Sequence, residues 1–387
     1  MRTSTTGSAR REAARMRATV SVGRKSVVLA GHYPPPLGGE SVHVKELAQR
    51  LRAHGVPVDV LNLRPGAPPS AEYRAITGRV GFLTALFKSL VPGPLLHLHT
   101  NGHHRKSGLI VVAAAMALRI RGATGLLTIH SGLAPEYLTG LSPVSRRLMR
   151  FGIASFAHVI CVNAKIREAI AGLGVPADRL SVIPAYLGTR AAAPLTEADR
   201  RMLSVFTPLV ATIGGPDQEY GLPVVVEAIP GLSAHFPRLG CIVIGSGGDA
   251  ALRRLIAERG IADRVVCLGE VAHERCLAFL GRADVFVRPS YADGDARSVR
   301  EALALGVPVV ATDTDFRPEG VFLFRRGDPR DLAEKVTRTL RQRLTGGWRP
   351  QREDAAAHDR LLAIYERVGV GPLRSRSGVA TAGLARG

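Results

Sequence analysis

Residues 287–313, VRPSYADGDARSVREALALGVPVVATD, confine the chain to few folds. They read as a buried strand end, a polar loop, a helix, a Gly-Val-Pro turn and a second buried strand. Val299, Ala302, Leu303 and Leu305 give the helix an apolar face that anchors it to a sheet. Asp293 stands just before the helix and Glu301 lies inside it, eight residues on. Open parallel sheets bind ligands at the carboxyl ends of their strands, so both acids can point at one ligand. The plainer alternative makes Asp293 a helix N-cap and Glu301 a solvated helix residue.

The rest of the chain repeats this alternation. Residues 26–30 form an apolar strand that runs into a loop containing Gly38 and Gly39. A helix follows with Val42, Val44, Leu47 and Leu51 at helical spacing, then a strand at 56–63. Strand, glycine-rich loop, helix, strand is a Rossmann-like opening, in which the glycines let backbone approach a ligand. Residues 73–90 read as one amphipathic basic helix that packs on the sheet or grips a membrane. Strand residues His97 and His99 share a face, but no carboxylate or cysteine accompanies them at metal-ligand spacing. The strand at 125–131 ends near His130, where a cleft should open, and 143–158 form a helix with a basic edge. Residues 188–206 break the pattern as a linker. A second α/β block starts at 208 and carries a glycine loop with Gly245 and Gly247, suited to phosphate or base. The last periodic segment is 354–369.

The expected division is a disordered basic tail at 1–25, a Rossmann-like domain at 26–187 and the linker at 188–206. A second Rossmann-like domain follows at 207–350, then a helix at 351–370 crossing back to the first domain, and a disordered tail at 371–387. The chain has 387 residues, 46% of them hydrophobic, enough for two cores. Its four cysteines have no paired spacing; three read as small core residues, and a reducing compartment is expected. The net charge of +20 attracts anions: nucleotides, nucleic acid or acidic lipid headgroups. No apolar run reaches the about 20 residues that span a bilayer, and no signal peptide is evident. The expected location is cytoplasmic, with peripheral contact at an anionic inner membrane face allowed.

The 287–313 stretch closely resembles the signature of retaining glycosyltransferases with the GT-B fold, family 4 type (glycosyl transferases group 1). In them Pro-Ser precedes Glu-x7-Glu, then Ala-x-Ala-x-Gly-x-Pro-Val-Val-Ala-Thr. Pro289, Ser290, Glu301, Ala302, Ala304, Gly306 and the run from Pro308 to Thr312 match, and Asp293 replaces the first Glu. The resemblance covers about residues 26–370 and implies an α/β GT-B fold, two Rossmann-like domains facing a cleft. It implies acceptor binding for the first domain and donor-nucleotide binding for the second. It implies sugar transfer with retention from a nucleoside-diphosphate sugar to a hydroxyl acceptor: a cell-envelope glycan, a glycolipid or a small metabolite. Neither metal nor cofactor is implied, and no nucleic-acid partner. The implied catalytic set is Asp293 by the sugar hydroxyls, His130 in the sugar pocket and Glu301 on the ribose. The implied donor-binding set is Gly38, Gly39, Gly245, Gly247, Glu270, Val271, Arg297, Ser298 and Arg300.

One departure matters. The family carries an Arg and a Lys after the first strand of its second domain, both on the diphosphate, where this chain has Gly215 and Tyr220. Either Arg288, Arg297, Arg300 or Arg317 supplies that charge, or the donor differs, or the protein binds without turnover. A sugar-nucleotide epimerase on the same fold and a non-catalytic binder of polyanions or lipid surfaces are the rival functions. A double displacement through Asp293 is the rival mechanism.

Overall fold

The computed structural model describes residues 25–91, 93–188, 191–246, 248–346 and 356–373. The expected tails therefore lie outside the described residues, except Lys25 and residues 371–373. The first lobe runs β1 (Val27–Gly31), α1 (Gly39–Ala53), β2 (Val58–Asn62), β3 (Arg74–Ala75), α2 (Gly78–Ser89), β4 (Leu95–Thr100) and α3 (Arg105–Arg121). It continues through β5 (Gly125–Ile129), α4 (Ala134–Thr139), α5 (Pro143–Ala154), β6 (His158–Cys161), α6 (Ala164–Ala171) and β7 (Leu180–Val182). After α7 (Glu197–Ser204) come β8 (Leu209–Ile213), α8 (Leu222–His235), β9 (Gly240–Ile244), α9 (Ala250–Glu258) and β10 (Val265–Gly269). The second lobe closes with α10 (His273–Arg282), β11 (Val285–Arg288), α11 (Arg297–Ala304), β12 (Val309–Thr312), β13 (Val321–Phe324) and α12 (Pro329–Leu344). The last helix is α13 (Ala356–Arg367).

Two parallel sheets result. The first is 7-stranded in the order β3-β2-β1-β4-β5-β6-β7, and the second 6-stranded in the order β10-β9-β8-β11-β12-β13. β1, β4, β5, β6 and β9 are buried along their whole length, as strands covered by helices on both faces must be. Strand order reverses between β1 and β4 and between β8 and β11, and the strand ends there open the crevice that ligands use. The two sheets with their helices are the two Rossmann-like domains of a GT-B fold.

Three segments differ from, or add to, the sequence reading. Residues 73–90 are not one helix: Arg74 and Ala75 pair with Leu61 and Asn62 as an edge strand. Gly78 then takes a φ of 68°, which favours glycine and turns the chain into α2. The stretch at 188–206 contains α7, whose Leu203 enters the second lobe's core. Asp199 of that helix accepts from Arg275 at 2.6 Å. α13 packs on the first sheet, burying Leu361, Leu362, Ile364 and Tyr365 against Val27, Leu29 and Leu126.

Candidate active site

The loop between β11 and α11 carries the site into the first lobe. Gly294 lies so close to the end of β5 that a Cβ on it would sit 1.8 Å from the carbonyl oxygen of His130. A Cβ on Gly132 would meet the Asp293 carbonyl oxygen at 2.3 Å. Only glycine fits either place, so backbone meets backbone between lobes. Asn163 Nδ2 donates to the Gly294 carbonyl, and the Ala185 amide donates to Asp295 Oδ2 at 3.0 Å.

Asp293 is fully engaged within its own lobe. Its Oδ1 accepts from Arg288 Nη2 at 2.6 Å, and its Oδ2 from Arg288 Nε at 3.1 Å and Arg317 Nη1 at 2.6 Å. The Ser290 hydroxyl also donates to it. Burial alone would raise its pKa, but the charges of Arg288 and Arg317 outweigh burial and hold it well below the usual carboxylate range. Arg288 also donates to the Ile213 carbonyl at 2.9 Å and lies over the Tyr220 ring, 5.2 Å from its centroid. Arg317 donates to the Thr312 carbonyl at 3.0 Å. Both arginines therefore stand at the carboxyl ends of β8, β11 and β12.

Glu301 is buried at the lobe boundary. Its Oε1 accepts from His273 Nε2 at 2.8 Å and from Arg297 Nε at 2.7 Å. Burial raises its pKa, yet His273 and Arg297 prevail and keep it below the usual range. Arg297 reaches on to Glu46 of α1, Nη2 to Oε1 at 2.7 Å. Arg300 donates to Asp295 at 2.7 Å. Arg297 and Arg300, expected to face the donor, are thus buried in carboxylate pairs at the lobe junction. Ser298 is half-buried on α11.

Glu270 and Val271 line a cleft of about 540 Å³ together with His273, and Lys45, Glu46 and Tyr73 face them from the first lobe. Gly38 and Gly39 are exposed at the start of α1, with only Ser41 Oγ near a Cβ on Gly38 and nothing near one on Gly39. Gly245 has a φ of 103° and packs against the Gly214 carbonyl, so it is needed for the close strand ends. Gly247 lies outside the described residues.

His130 sits beside two other histidines. Its Nε2 is 3.1 Å from His99 Nδ1, and the His43 ring lies 5.3 Å from each of the His99 and His130 rings. Burial, reinforced by the neighbouring histidines, holds His99 and His130 well below the usual imidazole range, so both rings are neutral near pH 7. His43 donates through Nδ1 to the Ala185 carbonyl at 2.6 Å. One ring nitrogen from each of His43, His99 and His130 lies within 4.8 Å of the others, close enough to hold a divalent ion. Neither His43 nor Glu46 stood out in the sequence. The one signal was their place on α1 among Val42, Val44 and Leu47, where a polar side chain needs a buried partner.

Residues 37–185 match the family model for glycosyltransferase family 4, and residues 207–342 the model for glycosyl transferases group 1. The chain is a glycosyltransferase of the GT-B fold. Among its relatives, the phosphatidylinositol N-acetylglucosaminyltransferase gpi3 subunit of Schizosaccharomyces pombe is 25% identical over 332 residues, 80% of this chain and 71% of that protein. The 2-deoxystreptamine N-acetyl-D-glucosaminyltransferase of Streptomyces fradiae is 25% identical over 378 residues, 85% of this chain and 88% of that one. In three dimensions the glycosyltransferase resembles Anabaena HepE in complex with UDP and glucose, with a TM-score of 0.65 and 18% identity over 88% of this chain and 99% of that one. In this glycosyltransferase Gly215 packs against the Tyr220 ring, and Arg288 lies over that ring.

Proposed function

We propose that the enzyme transfers a sugar from a nucleoside-diphosphate sugar to a hydroxyl acceptor with retention at the anomeric carbon. The carrying observation is that Arg288 and Arg317 share one carboxylate, Asp293. Two guanidiniums against one carboxylate leave net positive charge at the strand ends. Burial, with the nearby charges of Asp217 and Asp293, raises the pKa of Glu219, the exposed acid beside Arg288. A departing diphosphate gains negative charge, and fixed cations aimed at it lower the barrier by about 3 kcal/mol each. Arg288 reaches this space over Tyr220, which stands in place of the family's lysine.

Each side chain then has a task. Asp293 fixes the two guanidiniums. Held by four hydrogen bonds from Arg288, Arg317 and Ser290, it is a poor nucleophile, which favours front-face transfer over double displacement. In that route the acceptor oxygen bonds to the anomeric carbon as the bond to the leaving phosphate breaks. The departing phosphate oxygen takes the acceptor's proton. Both hydrogen bonds to Glu301 fall on Oε1, and Oε2 is the acceptor for the ribose hydroxyls. Neutral His130 lines the sugar pocket as a hydrogen-bond partner, and the Glu270–Val271 backbone meets the base. No step invokes a metal or cofactor. The relatives' names point to the acceptor: phosphatidylinositol and 2-deoxystreptamine both carry a six-membered ring polyol. A ring hydroxyl is the proposed nucleophile.

The test is a thermal-shift screen of nucleotide sugars, followed by NMR of the anomeric product and kinetics of Arg288→Met and Arg317→Met. Each variant should lose about a hundredfold in kcat. An inverted product, or undiminished turnover in both variants, removes the proposal.

A further inference from the structure

The outer face of the first lobe carries a surface that sugar transfer does not use. α2, α3 and α5 cover one side of the first sheet and share a single core through Phe82, Val111 and Ile153. Their outward faces are unusually apolar: Val80 is 78% exposed, Ile120 64% and Val144 76%, and Leu83, Leu109 and Leu148 are exposed beside them. The second lobe has no comparable cluster among the described residues, only Val205, Leu323 and Leu344 at separate places.

The charge on these helices has one sign. The three sequences GRVGFLTALFKS, RKSGLIVVAAAMALRIR and PVSRRLMRFGIA contain no Asp or Glu. Lys88, Lys106, Arg121, Arg147 and Arg150 are exposed on them, and no ion pair to a carboxylate is formed by any of these five among the described residues. Arg119 and Arg121 lie over the Phe151 and Phe87 rings instead. A soluble surface normally intersperses both signs and avoids large apolar patches. Apolar side chains among unpaired cations match the interfacial zone of an anionic bilayer, where the former enter the acyl boundary and the latter meet phosphate. A second copy of the chain is the poorer occupant, because a two-fold contact would set like charges against each other.

We infer that the α2–α3–α5 face docks this enzyme on anionic phospholipid membrane. The cleft-side ends of α3 and α5 then lie at the membrane edge, within reach of a lipid-borne hydroxyl.

The full chain is sedimented with phosphatidylcholine vesicles with and without phosphatidylglycerol, at low and at physiological salt. The wild type should pellet with the anionic vesicles and release as salt rises. Ile120→Glu/Val144→Glu and, separately, Lys88→Glu/Arg147→Glu should each weaken binding at least about tenfold with an unchanged melting curve. These sites are remote from the donor groups, so transfer to a water-soluble acceptor should persist, which separates failure here from failure of the donor reading. The inference is overturned if both double variants bind like the wild type, as they would if the basic chain ends carried the contact. It is also overturned if the wild type stays in solution with anionic vesicles, or if light scattering reveals a dimer that Ile120→Glu/Val144→Glu dissolves.

Discussion

Arg297 of the second lobe donates to Glu46 of the first at 2.7 Å, and both side chains are almost wholly out of solvent. The same guanidinium holds Glu301, so one buried cation ties the lobe junction to the proposed ribose-binding carboxylate. Opening the lobes would strip Arg297 of a partner while leaving Glu301 attached.

Removing one partner should therefore cost more than removing both. Glu46→Gln leaves Arg297 buried with one carboxylate fewer, at an expected cost of about 3 kcal/mol. Glu46→Leu combined with Arg297→Met should recover part of that loss, because the junction charge pair is gone and Glu301 keeps His273 as a partner. Urea unfolding of Glu46→Leu, Arg297→Met and the double variant that combines them measures the coupling. Additive losses would mean that the pair contributes nothing specific.

The glycine contact sets how closely the lobes approach. Gly294→Ala places a methyl group where the His130 carbonyl oxygen already stands, so the lobes must separate. Each lobe keeps its own core, so far-UV circular dichroism should be unchanged. Small-angle scattering should report a larger radius of gyration, and turnover should fall by at least about tenfold, since misplacement by about 1 Å can cost a hundredfold. Wild-type turnover in this variant would show that lobe contact is dispensable.

Asp293 carries a pH signature. Its pKa is depressed in the folded state by Arg288 and Arg317 acting against burial. A depressed carboxylate contributes stability that is complete above its unfolded pKa, about 4, and is lost as pH falls below that value. Denaturant midpoints from pH 6 downward should decline for the wild type. Asp293→Asn should start lower, by about 3 kcal/mol, and decline less steeply. Parallel curves for the two proteins would remove the assignment.

His43 titrates in a different window. Burial comes first among the causes that hold its pKa at about 4, against an ordinary 6.5. The unfolded chain binds the proton first, so stability is full above 6.5 and is lost as pH falls toward 4. His99, His130 and Arg297 face the same ring and oppose its protonation or share its burial. The loss from His43 alone is about 3 kcal/mol. NMR of its ring should detect no titration down to about pH 5. Titration near 6.5 would mean that the ring is solvated in the native protein.

The amino-acid sequence alone determined the alternation of strands and helices, the division into two lobes and the place of the signature loop. Those features rest on apolar periodicity and on glycines at strand ends, which act over a few neighbouring residues. It also marked Asp293 and Glu301 as the acids to watch, and Arg288 and Arg317 among the cations able to replace the absent pair. Only the tertiary structure decided which arginine meets which carboxylate. Arg297 is 251 positions from Glu46, and that pairing depends on how one lobe is set against the other. Likewise, His43 joins His99 and His130 only because α1 packs beside the ends of β4 and β5. Side-chain pairing across a lobe boundary is fixed by long-range packing, and local sequence pattern carries no record of it.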